Sequence, residues 1–304
     1  MELQARLKQF QSPQVRDLAW AILSPSLMKT TDHSQHFSDV FFQQSFSDIL
    51  PHLQQLDQHP APLISHLEHT TNHRLGPYFE RLWLYWLRHN PRYRCLAHNV
   101  QIQEDGKTLG EFDMIVQDLD SGAIEHWELA IKFYLGIPPL NNETHWFGPH
   151  QKDRLDLKYH HLVEKQLKLS TQALAKDYCQ KQGWNISRTR LLSKGRLFYP
   201  VNAEYSRPNN IEKHHLTGRW MTQPEFAQQF GKHEHVRFHW LNKDEWMVLR
   251  EREAKCYEHI QERFSQQRYP HPVQLLVSQW QEKPVRLFVV PENWLQHALA
   301  TLAA

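Results

Sequence analysis

The chain has few cysteines and no long apolar run. Its three cysteines, Cys95, Cys179 and Cys256, are widely spaced and include no CxxC pair, so the sequence has no zinc signature and favours free thiols in a reducing compartment. No segment approaches the ~20 apolar residues that a membrane span needs. The segment Met1–Arg6 lacks the apolar run of a signal peptide. We therefore expect a soluble, cytoplasmic protein.

An excess of charge of one sign is also missing. The chain has 35 lysines and arginines against 33 aspartates and glutamates, a net charge of +2. This is too small to indicate nucleic-acid binding by itself, so any basic surface must be local. The 22 histidines do not form an HExxH helix pattern, and we interpret them as surface and packing residues. The 304 residues allow one large domain or two smaller ones.

Two neighbouring segments, residues 110–116 and 126–134, alternate between polar or small residues and large apolar ones. Side chains of a strand point to opposite faces with period two, so each segment predicts a β-strand. Between them, Leu119–Gly122 has the composition of a turn, which predicts a hairpin. The polar face of the second strand carries five residues, His126, Glu128, Ala130, Lys132 and Tyr134.

A symmetric turn sets the register of this hairpin, in which the numbers of paired residues sum to 241. Asp113 then faces Glu128, and Glu111 faces Ala130. Like charges opposite one another destabilise a sheet, and a bound Mg²⁺ would remove that cost because it prefers carboxylate oxygens. An open sheet with one solvated, charged face explains the same pattern without a metal. Both interpretations remain open from the sequence.

The rest of the chain predicts helices before the hairpin and a mixture of helices and strands after it. Residues 13–70 are typical of helices interrupted by prolines. Pro77 suits the first position of a helix, and Tyr78–Arg88 is apolar nearly all round, as in a buried helix. The other predicted elements are a strand at Tyr93–Gln103, a loop at 136–150, a helix at Asp153–Ser170, a strand at Leu191–Tyr199, a helix at Thr222–Phe230, strands at Val236–Leu241 and Val285–Val290, and a terminal helix from Pro291.

The chain resembles the PD-(D/E)xK nuclease-like superfamily. The likeness rests on a buried helix with Glu80, a strand with Gly-Glu-Phe-Asp, a strand with Glu-x-x-x-Lys, and then a helix and a strand. More closely, the chain resembles an uncharacterised bacterial family of unknown function within that superfamily. The resemblance implies an α/β fold: a restriction-endonuclease-like αβββαβ core at 75–200, an N-terminal helical segment at 1–74 that packs on it, and a C-terminal α+β accessory region at 201–304.

The resemblance also implies roles for individual residues. Asp113 matches the metal ligand of the second strand, and Lys132 matches the lysine of the third. Glu80 matches a helix glutamate that serves as an outer or additional ligand. The sequence departs from the pattern at Ala130, which stands two positions before Lys132 where an acidic residue is expected.

Two acidic residues can replace the missing one. Glu128 lies opposite Asp113 in the predicted register, and Glu111 can reach into the space left by Ala130. Glu128 and Lys132 would lie roughly 13 Å apart along the strand, twice the usual separation.

A hydrolytic mechanism with Mg²⁺ or Mn²⁺ follows from these assignments. The cation, held by Asp113 and Glu128, would polarise the phosphate and lower the pKa of an attacking water. Lys132 would orient that water or stabilise the oxyanion. Glu80 would hold a metal-bound water or a second ion, although a favourable charge in the first turn of its helix is an alternative role.

Basic residues after the hairpin are the predicted contacts to nucleic-acid phosphates. A helix stripe and the segment around the next strand supply them: Arg154, Lys158, Lys165, Lys168, Arg188, Arg190, Lys194 and Arg196. A solvated helix face is the alternative explanation of the stripe. The resemblance suggests Gln166 as a further polar group of the site. His145, Trp146 and His150 could stack on bases, or Trp146 could close the end of the sheet.

Two functions are therefore expected. The first is a metal-dependent, nuclease-like phosphodiesterase that acts on nucleic acid, with DNA as the expected substrate. The second is a catalytically inactive protein of the same fold that binds nucleic acid or serves as a scaffold, because Ala130 occupies an acidic position of the motif.

Overall fold

The segments with strand and helix periodicity fold into a mixed α/β structure, whose described residues form a nine-stranded sheet. This computed structural model describes residues 3–30, 32, 35–68, 74–250, 253–266, 271–281 and 283–303. Its helices are α1 Leu3–Leu7, α2 Pro13–Leu23, α3 Asp39–Gln58, α4 Ala61–Glu68, α5 Leu75–His89, α6 Leu155–His161, α7 Ala173–Lys181, α8 Gln223–Phe230, α9 Tyr257–Gln266 and α10 Glu292–Ala303. Its strands are β1 Tyr93–Glu104, β2 Lys107–Asp118, β3 Ile124–Gly136, β4 Trp146–Phe147, β5 Ile186–Pro200, β6 Leu216–Thr222, β7 Arg237–Leu241, β8 Val273–Ser278 and β9 Val285–Val290.

Contacts between residues divide the chain into two compact units. The first unit contains residues 1–131 and 159–194, and the second contains 132–158 and 195–304. Strands β3 and β5 each begin in the first unit and end in the second. The predicted domain boundaries near residues 74 and 200 were drawn from the resemblance and not from contacts between residues, and they stay a prediction.

In the first unit, the predicted hairpin forms in the predicted register. Strand β2 pairs antiparallel with β1 and with β3, and β5 lies on the other side of β3. The pairs of β2 with β3 run from Met114 with Trp127 to Gln117 with Ile124, and all have the sum of 241. The turn between β1 and β2 contains Asp105 and Gly106, both with positive φ.

Strand β3 is buried on both faces, so the alternative of an open sheet with a solvated face is wrong. Glu125–Ile131 is buried throughout. On one face Trp127 packs against the rings of Phe37 and Trp86. On the other face His126 packs against Phe112, with ring centroids 4.8 Å apart. His126 and Glu128 on this face therefore lie in an interior and not in water.

Helix α5 is buried as its composition predicts. It begins at Leu75 and buries most of its large side chains, including Phe79, Trp83 and Trp86. Because the first turn contains no acidic residue, Glu80 lies beyond the reach of the strongest favourable interaction with the helix dipole. A favourable interaction with the helix dipole therefore explains little of why a glutamate occupies position 80.

The helix predicted at Asp153–Ser170 is interrupted. Helix α6 ends at His161. A π-helical turn at Leu162–Gln166 comes next, and a 3₁₀ turn at Leu169–Thr171 follows it. Helix α7, which was not predicted, then follows. Single π-helical turns often occur at functional sites, and this one carries Gln166.

In the second unit, β5 pairs parallel with β6 and β6 pairs parallel with β9, while β7, β8 and β9 are antiparallel neighbours. The predicted helix and strands after residue 220 are confirmed, but β6, β8 and α9 were not predicted. The predicted loop at 136–150 contains β4, which pairs with the end of β3. Trp146 is fully buried against Tyr199, so it is not available to stack on bases.

Among the described residues, none of the helices has the length and the apolar character that a membrane span requires.

Candidate functional site

Asp113 lies on β2 immediately beyond the last residue pair shared with β3. Its carboxylate accepts a hydrogen bond from the backbone N–H of Leu129, at 2.7 Å. Burial raises the pKa of this carboxyl well above its usual value, and the negative charges of Glu128 and Glu80 raise it further, while the hydrogen bond from Leu129 opposes the shift. The structure therefore places Glu128 and Glu80 close enough to Asp113 to affect its ionisation.

Glu128 is the member of this group that lies deepest, with 2% of its surface exposed. The side-chain amide of Gln166 lies 3.5 Å from one of its carboxylate oxygens, and the same amide donates to the backbone carbonyl of Glu111, at 3.3 Å. Gly110 packs against the same segment, because a Cβ there would lie 2.9 Å from the side chain of Leu169 and 3.4 Å from Oε1 of Gln166. The π-helical turn thus places the side chain of Gln166 next to Glu128, the neighbour of Asp113.

His126 is a member of this site that sequence reasoning missed. It is completely buried, and Nε2 lies 3.7 Å from the second carboxylate oxygen of Glu128. Neither ring nitrogen has a hydrogen-bond partner among the described residues. Burial lowers the pKa of His126 to about 4, against the opposing effect of Asp113, so the ring is neutral at pH 7. Its position two residues before Glu128 on the polar face was the available signal.

The two candidates for the missing acidic position differ in the structure. The carboxylate of Glu128 is one of the charges that act on Asp113. Glu111 is partly exposed, and its backbone carbonyl is the group that meets Gln166. Ala130 is buried. The geometry favours Glu128 as the partner of Asp113, and a role for Glu111 stays a prediction.

Lys132 lies in the second unit and has an acidic partner there. Its amine donates to the carboxylate of Asp153, which also accepts a hydrogen bond from the hydroxyl of buried Tyr134, at 3.3 Å. This partner was not predicted. The catalytic role assigned to Lys132 by resemblance stays a prediction, and the proposed chemistry below does not depend on it.

Four of the eight predicted phosphate contacts form ion pairs within the described residues. Arg154 holds Asp156 through two hydrogen bonds of 2.6 and 2.9 Å, and Lys168 holds Glu164 at 2.5 Å. Lys165 is exposed and Lys158 is half-buried.

The predicted contacts Arg188 and Arg190 share a structural role. Both pair with Glu125, whose side chain is buried and also accepts from the indole of Trp127. Arg190 is mostly buried, whereas about half of Arg188 remains exposed. Arg188 therefore keeps some capacity for an external phosphate, although its charge is already balanced.

Two of the predicted phosphate contacts are buried, which corrects that part of the interpretation. The amine of Lys194 donates to the backbone carbonyls of Ile22 and Ser24 and lies 3.3 Å from the ring centroid of Phe42. Arg196 is 8% exposed. Neither side chain can reach the backbone of a nucleic acid at the surface.

The donor chemistry of the site suits a hard divalent cation. Asp113 and Glu128 supply carboxylate oxygens in a position where their mutual repulsion is costly. Mg²⁺ commonly binds one or two carboxylates and keeps several waters. In the described part of the chain, no group of three His, Cys, Asp or Glu residues is arranged to hold a metal ion. The structure thus brings together an acidic pair with nearby Glu80, and not a complete set of ligands.

Comparison with known proteins finds one family. The sequence model of a family described as Domain of unknown function (DUF1853) matches residues 16–290. No curated protein matches the chain, and no solved structure matches it.

Proposed function

The chain belongs to the family described as Domain of unknown function (DUF1853), and we propose that it is a metal-dependent phosphodiesterase of the nuclease type that acts on nucleic acid, with DNA as the expected substrate. The observation that carries this proposal is the partly buried carboxyl group of Asp113, next to the buried carboxyl group of Glu128; desolvation raises the pKa of Asp113, and the negative charges of Glu128 and Glu80 raise it further. Perturbed carboxyl groups of this kind cluster at functional sites.

Each residue of the candidate site in the first unit has a distinct role in this proposal. Asp113 and Glu128 would hold the cation, and Mg²⁺ or Mn²⁺ would supply the positive charge that polarises a phosphate and activates water. The N–H of Leu129 fixes the carboxylate of Asp113. The side-chain amide of Gln166, 3.5 Å from Glu128, would orient that carboxylate. Glu80 adds negative charge near Asp113 and would hold a metal-bound water.

The order of elements supports the same proposal. Helix α5, strands β1 to β3, helix α6 and strand β5 occur along the chain in the αβββαβ order, with the two-residue strand β4 before α6 and helix α7 after it. With Glu80 on α5 and Asp113 on β2, this order supports a restriction-endonuclease-like core at residues 75–200. Membership of the PD-(D/E)xK superfamily is part of the proposal.

A catalytically inactive protein that binds nucleic acid or serves as a scaffold is the second candidate. Two observations favour it. Ala130 occupies the acidic position of the motif, and the amine of Lys132 is bound to Asp153. In such a protein, the fold would remain while the chemistry is lost.

Calorimetric titration of Mg²⁺ and of Mn²⁺ separates the two candidates when combined with cleavage of a labelled DNA duplex. The phosphodiesterase should bind a cation and cleave, and Asp113→Asn should abolish both. Asp105→Asn is the matched control, because Asp105 lies in an exposed turn that asparagine also tolerates.

The other outcomes are equally informative. Binding of the duplex without cation binding or cleavage would support the second candidate. Cation binding that survives in Asp113→Asn would refute the proposed site. A chain that binds neither cation nor DNA would refute the phosphodiesterase and the nucleic-acid-binding form of the second candidate, and would leave the scaffold.

A further inference from the structure

An exposed tyrosine in the second unit lies on a pair of buried rings. Tyr205 follows β5 in the chain and is 55% exposed. Its ring lies against that of Tyr199, with centroids 4.8 Å apart and planes inclined by 30°. The ring of His215 is nearly parallel to it, at 6.3 Å. Because Tyr199 and His215 are almost completely buried, they support Tyr205 from the interior and leave more than half of its surface in water.

The two buried rings form a rigid support. Burial lowers the pKa of His215, so this ring is neutral at pH 7. Its Nδ1 lies 2.6 Å from the backbone carbonyl oxygen of Glu212, which can only accept a hydrogen bond, so Nδ1 carries the proton. Nε2 then accepts from the hydroxyl of Tyr199, at 2.9 Å. Trp146 packs against the Tyr199 ring, with centroids 5.0 Å apart.

Two arginines lie beside this support. Arg219 of β6 is the parallel-strand partner of Tyr199, so both side chains project from the same face of the sheet. Arg207 is two residues from Tyr205, and its Nη1 donates to the backbone carbonyl of Ile211, at 2.6 Å. Burial raises the pKa of Tyr199, the phenol of Tyr205 raises it further, and the positive charges of both arginines oppose the rise. Both guanidinium groups therefore lie near the Tyr199 hydroxyl.

Neither of these guanidinium groups has a carboxylate partner among the described residues. The hydrogen bonds of Arg207 and Arg219 go to backbone carbonyl oxygens, through Nη1 in both cases. The acidic residue nearest to Arg207 in the chain, Glu204, is exposed and pairs with neither arginine. A guanidinium has five N–H groups, so both arginines retain donors for an external acceptor. Both side chains are partly exposed, so that acceptor can approach from the solvent.

We propose that Tyr205, Arg207 and Arg219 form a binding surface for single-stranded nucleic acid, in which a base stacks on the exposed ring and adjacent phosphates bind the two guanidinium groups. Proteins that bind single strands combine these two features, an aromatic platform and cations along the backbone. The bases of a duplex are already stacked on one another, so an exposed ring favours a single strand. The surface does not depend on the carboxylate site of the first unit, and only its class of ligand rests on the proposed function.

Fluorescence anisotropy of the full chain with two short labelled oligonucleotides of equal length tests the stacking ring. One is oligothymidylate, the other is the same backbone without bases, and EDTA prevents metal-dependent cleavage. The wild type should bind oligothymidylate about 5- to 150-fold more tightly, as stacking of one base supplies. Tyr205→Ala should lose most of this preference and Tyr205→Phe should retain it, because phenylalanine keeps the ring. Equal binding of both strands by the wild type, or an unchanged preference in Tyr205→Ala, would overturn the assignment.

Salt dependence separates the stacking ring from the phosphate contacts. Each neutralised phosphate of a single strand contributes about −0.7 to the slope of log K against log salt concentration. Arg219→Met should make the slope shallower by about 0.7, whereas Tyr205→Ala should lower the affinity without changing the slope. Arg94→Met removes the same charge at an exposed position of β1 and should change neither quantity. Equal changes in Arg94→Met and Arg219→Met would show a response to net charge alone and overturn the assigned contacts.

The remaining outcomes distinguish this surface from the proposed cleavage. A chain that cleaves DNA but shows no preference dependent on Tyr205 refutes the surface and leaves the phosphodiesterase. A preference dependent on Tyr205, without cation binding or cleavage, supports the surface and refutes the phosphodiesterase. A wild type that binds neither oligonucleotide refutes the surface. If a polyglutamate peptide binds at least as tightly as oligothymidylate, and its binding depends on Arg219, the surface belongs to an acidic protein partner and the assignment to nucleic acid is wrong.

Discussion

At the residue scale, the site is defined by carboxyl groups that lie close together in a poorly solvated position. Asp113 accepts one backbone hydrogen bond, yet burial and the charge of Glu128 make its ionised form costly. His126 lies beside them but is neutral at pH 7, so it supplies no compensating charge. Proteins retain such local costs where function requires them. A bound cation would convert this arrangement from repulsive to favourable.

Asp113→Asn is therefore expected to stabilise the protein in the absence of metal. Asparagine keeps an acceptor for the N–H of Leu129 and removes the repulsion, with an expected gain of about 0.5–2 kcal/mol in the free energy of unfolding at pH 7. A carboxyl whose pKa is raised on folding contributes stability below its unfolded value of about 3.9 and loses it as the pH rises through the folded pKa. The advantage of Asp113→Asn should thus grow from pH 4 to pH 7.

Urea unfolding of both proteins across this pH range, with EDTA present, measures the difference directly. A constant difference, or a less stable Asp113→Asn at pH 7, would contradict the assigned environment of Asp113.

At the scale of elements, β3 is the strand on which the site depends. It carries His126 and Glu128, and it is buried on both faces. Where β2 stops pairing with β3, the side chain of Asp113 replaces a backbone partner by accepting from Leu129. The π-helical turn after α6 then brings Gln166 to the same position. The site is thus formed where regular pairing and regular helix both end.

Gly195 of β5 is expected to tolerate no side chain. Its φ is +141°, and a Cβ there would lie 1.8 Å from the backbone carbonyl oxygen of Lys132 on β3. Gly195→Ala should reduce the free energy of unfolding by about 3 kcal/mol or more, because a backbone contact cannot move aside.

Gly106→Ala is the matched comparison for this effect. Gly106 also has a positive φ, of +77°, but a Cβ there would meet no atom within 4 Å. Its substitution should cost only about 1 kcal/mol, from backbone strain alone. Equal losses for the two variants in urea unfolding would show that the close approach of β3 to Gly195 is not the cause.

At the scale of the whole molecule, charge is balanced locally as well as overall. The net charge is +2, and ion pairs occupy Arg154, Lys168, Arg188 and Arg190. Nucleic-acid binding that depended on these residues would first have to break or share those pairs. The proposed phosphodiesterase should therefore contact only a small number of DNA phosphates.

A shallow dependence of DNA affinity on salt is the expected consequence. Each neutralised phosphate of a duplex contributes about −0.9 to the slope of log K against log salt concentration, and we expect a slope no steeper than about −3. Fluorescence anisotropy with a labelled duplex, between about 50 and 200 mM salt, measures it. Arg154→Ala should change the slope little, because this guanidinium is held by Asp156. A slope near about −8 would indicate a basic surface that this balance of charges does not predict.

Local patterns in the sequence were sufficient for the hairpin. Side-chain alternation with period two and a short turn define both faces and the register, so the pairing of β2 with β3 and the meeting of Asp113 with Glu128 could be predicted. Helix α5, β9 and the capped helix α8 were also recognisable from local composition. The family itself carries no stated activity, so these patterns remained the main source for the site.

The tertiary structure decided everything that depends on partners distant in the chain. Burial of both faces of β3, the pairing of Lys132 with Asp153, and the pairing of two arginines with Glu125 arise from segments that no local pattern connects. The same holds for buried Arg196, which in the sequence resembles any other basic residue near a phosphate site. Periodicity determines the face of the element from which a side chain projects. Only tertiary packing determines which groups that side chain contacts, and these contacts set its charge state and its chemistry.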